Sequence, residues 1–133
     1  SGADTIEVKK LFNSDIKDFI TKAEIIQNAK VINNNICLAY TKTETDNINI
    51  VIAQAADELL NIKEVEASFV LARKDDRVFI SARSLGNINV HVLMENLGGG
   101  GHRDMAGAQL DTSLEKAYEM VKDTIQTYIK EEE

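Results

Sequence analysis

Four consecutive glycines, Gly98 to Gly101, run directly into His102. No other feature restricts the fold as much, because glycine in a strand or helix interior loses the most backbone entropy and packs no side chain. Such a run is retained where the backbone must take conformations or approaches that a Cβ forbids. It follows an apolar helical pattern, Val90 to Leu97, and precedes a small-residue strand pattern, Ala106 to Leu110. A bare backbone can set several N–H groups against a phosphate, and an adjacent imidazole can donate to the same anion. A hinge or a helix C-cap also uses glycine, although one residue suffices for a cap. His102 and Arg103 at the end of the run weigh toward the anion.

The flanking periodicities predict the elements around the run. Ile6, Val8, Leu11 and Phe12 suit a short helix over residues 5–12, and Ser14 suits the cap of a second helix with Ile16, Phe19, Ile20 and Ala23 on its apolar stripe. Lys30 to Ile32 and Ile36 to Tyr40 flank Asn33-Asn34-Asn35 and predict a hairpin. Ile48, Val51, Ile52, Ala55 and Leu59 mark an amphipathic helix ending near Leu60. Glu66 to Arg73 and Arg77 to Ser84 alternate around Asp75-Asp76 as a second hairpin, Ser68 and Val70 facing one way and Phe69 and Leu71 the other. A helix over Asn89 to Leu97 precedes the glycines. Thr112 and Glu115 have capping-box spacing ahead of a last helix that buries Leu114, Ala117, Val121 and Ile125. The expected fold is α/β: a mixed, partly antiparallel sheet of about five strands covered by helices, in one domain over residues 1–133, with residues 1–5 a linker or tag remnant.

Composition excludes several classes. With a net charge of -7, the chain lacks the excess of Lys and Arg needed to hold long nucleic acid by nonspecific electrostatics. Cys37 is the single cysteine and sits in an apolar run, which suits a core residue in a reducing, cytoplasmic setting. His91 is the only histidine besides His102 and lies among polar neighbours, so a metal site built within the chain is not expected. No Walker sequence and no nucleophile elbow is present. Arg73, Lys74, Arg77, Arg83, His102 and Arg103 form a basic group near the middle of the chain that suits a small anion.

Within that group, Ser81 and Arg83 are two apart on a predicted strand and share a face. Arg83 can fork onto phosphate oxygens and Ser84 can add a hydroxyl, or Arg83 can pair with a surface carboxylate. His102 suits a hydrogen-bond donor or a proton-transfer group. Asp104 is placed to orient Arg103 or His102, and Asp57 and Glu58 read as a solvated helix face. The chemistry legible in these residues is anion binding by one half of a site.

Gly98 to His102, with Ser81-Ala82-Arg83-Ser84, resembles the DHHA-type substrate-binding domain of the DHH phosphoesterases. Gln54 to Leu60, Val65 to Val70, Ile80 to Gly86 and Asn89-Val90 are more similar still to the C-terminal end of GdpP-type cyclic-di-AMP phosphodiesterases. The likeness runs from about Gly2-Ala3-Asp4 to the last helix, and the Gly-Gly-Gly-His motif is specific to the superfamily. It implies a two-domain hydrolase in which a preceding DHH domain, not contained in this sequence, holds two manganese ions and activates water. This chain would bind no cofactor of its own, and the fragment alone would be inactive. Gly99, Gly100 and Gly101 with His102 would bind a substrate phosphate, His102 acting in catalysis, and Arg83 and Ser84 would bind phosphate or sugar oxygens. The implied partners are a cyclic or linear dinucleotide or short oligonucleotide and the DHH domain, with homodimerisation open. The implied place is a cytoplasmic domain of a parent that membrane helices anchor. An oligoribonuclease or a 3′,5′-bisphosphate nucleotide phosphatase of the same superfamily, or a non-catalytic nucleotide-binding module, are the alternatives. Arg103 to Ala108 departs from the pattern of the closest subfamily, which bears on base preference more than on phosphate binding.

Overall fold

A computed structural model describes residues 16–133, so the expected helix over 5–12, the Ser14 cap and the linker over 1–5 lie outside the described residues. Helix α1 spans residues 16–27. It leads into β1 (Lys30–Ile32) and β2 (Ile36–Thr41), then α2 (Ile48–Leu59), β3 (Ala67–Lys74), β4 (Arg77–Ser84) and α3 (Val90–Glu95). The chain ends with β5 (Gly100–His102), β6 (Met105–Leu110) and α4 (Leu114–Glu132). The sheet has six strands in the order β1-β2-β3-β4-β6-β5. β2 and β3 are parallel, joined across one face by α2, and every other pair is antiparallel.

Both expected hairpins form, and their turns show why. Asn33 and Asn34 (φ 54° and 66°) and Asp75 and Asp76 (φ 52° and 63°) take left-handed conformations. Asn and Asp tolerate that region best among residues with a Cβ, and two in succession match the right-handed twist of the flanking strands. The sixth strand is the unexpected one. It is the glycine run itself, and glycine carries no strand propensity to announce it.

Strand alternation splits the core into two layers. On one face Phe69, Leu71, Val78, Ile80 and Ala106 pack against Val90, Leu93 and Met94 of α3 and Val121 and Ile125 of α4. On the other, Cys37, Val70 and Ala72 pack against Ile25 of α1 and Ile48, Ile52 and Ala55 of α2. Burial pushes the Cys37 thiol pKa up, as expected for a core cysteine. α1 turns differently from the reading of its stripe. Thr21 and Ile25 are buried, whereas Ile16, Phe19 and Ile20 are 41%, 66% and 52% exposed. Two neighbouring stripes of this helix carry apolar groups, and the one with Ile25 docks on the α2 cluster. No described helix is long and apolar enough to cross a membrane.

α3 positions the glycines. Asn89 caps it, its side chain accepting from the His91 and Val92 amides at 3.1 and 3.4 Å. The helix closes early: the Gly98 N–H reaches Glu95 O at 3.0 Å and the Gly99 N–H reaches Met94 O at 2.8 Å. With Gly98 at φ +85° this is a Schellman closure, so one glycine of the run is spent on the C-cap. α4 is capped by Ser113, which accepts from the Lys116 amide at 3.1 Å, one residue later than the Thr112 spacing suggested. Asn89→Ala is expected to lower stability by about 1 kcal/mol. Urea unfolding should show a lower midpoint with an unchanged slope.

Candidate functional site

α2 lies over β3 and β4, and on the same face β6 and β5 stay open among the described residues. The register sets out what occupies this shelf. Alternation along β4 points Phe79, Ser81 and Arg83 away from the α3–α4 core. Ser81 is opposite Gly107 of β6, and Gly107 is opposite Gly100 of β5. A hydroxyl is thus followed across two strands by bare backbone. The next row, Arg83 opposite Met105 and Met105 opposite His102, brings Arg83 and His102 onto the same face. Two strand spacings, roughly 10 Å, separate their backbones. An open cavity of about 380 Å³ lies beside the floor, lined by Ser81, Gly99, Gly107, Phe79, Asn49 and Gln109 among others.

The glycines divide by need. A Cβ on Gly99 would stand 2.1 Å from Gly107 O and 2.7 Å from Ala108 Cα. One on Gly101, at φ +143°, would stand 2.5 Å from Ala106 Cα. Both glycines are demanded by the close approach of β5 to β6. Gly100 is different: its φ is ordinary and a Cβ there would meet nothing within 4 Å. Contacts within the described residues therefore do not require glycine at 100. β5 is also an edge strand, and its outer side has no neighbouring strand among the described residues.

His102 is exposed and has no hydrogen-bond partner among the described residues, so its ring is free to donate. Arg83 is held: its side chain is 12% exposed, Nε donates to Asp57 Oδ1 at 2.9 Å and Nη1 donates to Ala82 O at 3.0 Å. Of its two readings, the carboxylate pairing is the one the geometry displays. The pair also revises the solvated reading of Asp57, while Glu58 meets Lys22 at 3.1 Å. Ser84 is not brought to the shelf. It faces the opposite side, buried, and its hydroxyl accepts from the Gly86 N–H at 2.9 Å. Ser81 is the hydroxyl on the site face, and two-residue alternation from Arg83 was the signal that could have singled it out over Ser84.

The basic group does not assemble as one patch. Arg73 pairs with Asp76 at 3.2 Å, Arg77 with Asp111 at 2.7 Å, and Lys74 donates to Asp46 O at 3.0 Å, all at the far end of the β3–β4 hairpin. Arg103 Nε donates to Gly86 O at 2.6 Å. Asp104 makes no side-chain hydrogen bond to Arg103 or His102 among the described residues, though its carbonyl accepts from the Ser84 N–H at 2.9 Å. His91 pairs with Glu95 at 2.8 Å along α3. Among the described residues no group of three or more His, Cys, Asp or Glu could hold a metal ion.

The sheet order, the glycine-built edge strand and the terminal histidine are those of a DHHA1-type domain. The chain belongs to the DHHA1 domain family, whose model matches residues 33–131. It is 42% identical to the cyclic-di-AMP phosphodiesterase GdpP of Bacillus subtilis over 97% of this chain and 20% of that protein. It is 38% identical to the cyclic-di-AMP phosphodiesterase PdeA of Listeria monocytogenes over 98% of this chain and 20% of that protein. The chain therefore spans about a fifth of the length of these relatives. Among solved structures it is similar in fold to an exopolyphosphatase-related protein from Bacteroides fragilis, with a TM-score of 0.73 and 22% identity over 84% of this chain and 34% of that one.

Proposed function

We propose that this domain binds a phosphodiester of a cyclic adenine dinucleotide within a phosphodiesterase that opens the ring to the linear product. The observation that carries the reading is the row Ser81–Gly107–Gly100, bare backbone beside a hydroxyl, with His102 on the same open face. The similarity to two cyclic-di-AMP phosphodiesterases supports the substrate. The expected DHH domain would hold manganese ions, which supply an activated water when bound. Hydrolysis breaks one P–O ester bond as the water oxygen bonds to phosphorus, and negative charge grows on the non-bridging oxygens. The open edge of β5 presents backbone N–H to those oxygens, the Gly99 N–H being taken by Met94 O, and His102 donates an N–H from the strand end. Ser81 orients the same phosphate through its hydroxyl. Arg83, its charge met by Asp57, flanks the site and holds its rim in place.

The reading carries with it a parent that is fixed to a membrane and a DHH domain seated over the shelf. Backbone-amide NMR of this chain, titrated with the cyclic dinucleotide, its linear product and inorganic phosphate, tests the binding. Shifts are expected at Gly99 to His102 and around Ser81, larger for the dinucleotides. No shift at millimolar ligand, together with unchanged turnover on His102→Ala in the full-length protein, overturns the reading. Faster hydrolysis of linear oligonucleotides than of the cyclic form would replace it with an oligoribonuclease.

A further inference from the structure

The cavity beside the glycine floor contains side chains that phosphate binding leaves unused. Phe79 and Gln109 are direct partners across β4 and β6, and Asn49 reaches the same cavity from the first turn of α2. Phe79 is half-buried and packs against the α2 cluster, so its ring is braced on one side while it lines the cavity on the other. Gln109 has its orientation assigned by a chain of contacts. Its Oε1 accepts from Arg77 Nη1 at 3.0 Å, and Arg77 is gripped by Asp111 at 2.7 and 3.3 Å. The Nε2 group of Gln109 is left to donate. Asn49 has no side-chain partner among the described residues and offers both a donor and an acceptor. No charged side chain lines the cavity.

We propose that Phe79, Asn49 and Gln109 form a nucleobase subsite that selects adenine over guanine. The inference rests on the phosphate reading of the neighbouring floor. The Phe79–Gln109 row lies two residues along the strands from Ser81–Gly107, roughly 7 Å, a span that a ribose bridges between phosphate and base. An aromatic face gives any base a platform to stack on. Discrimination comes from the amides. Adenine presents an amino donor beside a ring-nitrogen acceptor, the pattern that one Asn side chain satisfies with both its atoms. Gln109 adds a fixed donor for a second ring nitrogen. Guanine presents two acceptors on one edge and two adjacent donors on the other. The first opposes the Asn49 oxygen, and the second calls for a carboxylate that this cavity does not contain.

The test is calorimetric and NMR titration of this chain with AMP, GMP and ribose 5-phosphate, in the unsubstituted chain, Asn49→Ala and Phe79→Leu. AMP is expected to bind about 10-fold or more tighter than ribose 5-phosphate, the increment of one stacked base. GMP should fall between them. Asn49→Ala should collapse the AMP-to-GMP ratio while leaving ribose 5-phosphate unchanged. Phe79→Leu should weaken both nucleotides alike. Asn49 is on the surface, so its variant tests the site even where Phe79→Leu disturbs packing. Ribose 5-phosphate shifts at Gly100 to His102 with no gain from either base, or an unchanged ratio in Asn49→Ala, overturn the base subsite alone. No response to any of the three probes, together with unchanged turnover on His102→Ala in the full-length protein, overturns the phosphate reading and the subsite with it.

Discussion

Replacing His102 with alanine, in a full-length protein that pairs this domain with the proposed DHH domain, is expected under the proposed function to lower turnover of the cyclic dinucleotide by about 10²–10³ while the unfolding midpoint stays in place. The two halves of this expectation have separate grounds. His102 ends an edge strand, is exposed, and has no hydrogen bond to lose among the described residues. Surface substitutions of that kind change stability by no more than about 0.5 kcal/mol. In the proposed function the same freedom leaves the imidazole N–H to meet the charge that develops on the phosphoryl oxygens, and the loss of one such preorganised donor has that size of effect on rate. Steady-state kinetics and a thermal melt on one preparation check both halves. Near-normal turnover would remove His102 from the site. Arg83→Ala is a less clean experiment, because this guanidinium is largely buried and paired with Asp57, so activity and packing would fall together.

The glycine run offers the second large effect. Gly99→Ala and Gly101→Ala are each expected to destabilise the protein by about 3 kcal/mol, because each new methyl would be driven into the β6 backbone, and Gly101 also holds a φ that other residues rarely take. That corresponds to a midpoint lowered by about 10 °C. Gly100→Ala, one residue from both, should change stability by no more than about 0.5 kcal/mol, since its methyl meets nothing within 4 Å. It should nevertheless weaken phosphate binding, because the methyl stands where the proposed function rests the phosphate on the backbone. Thermal melts of the three variants, with phosphate titrations of Gly100→Ala, separate the roles. A Gly100 variant as unstable as its neighbours, or one that binds phosphate normally, would make the whole run structural.

Much of the fold around the glycines could be read before any coordinates. Asn33-Asn34 and Asp75-Asp76 announced their hairpins because only a few residue types accept a left-handed backbone. Alternation on β3 and β4 assigned side chains to the correct faces, and it put Ser81 with Arg83. Ser84 was misjudged because nearness in sequence to Arg83 outweighed the alternation that turns it inward to Gly86. The stripe of α1 was misread because amphipathicity names the apolar residues and not the rotation at which a helix docks. The basic group scattered because Asp76, Asp111 and Asp57 neutralise three of its members, two of them across long sequence separations.

The amino-acid order alone determined what is local: turn chemistry, the two periodicities, the unpaired buried cysteine and the need for a bare backbone ahead of His102. Those follow from φ, ψ preferences and from side chains within a few residues of one another. Only the tertiary structure decided which glycine serves which end. Gly98 answers to the end of α3, Gly99 and Gly101 to the β6 backbone, and Gly100 to nothing inside the fold. That division depends on strand order and on sub-ångström differences in how closely two strands approach, and long-range packing sets both.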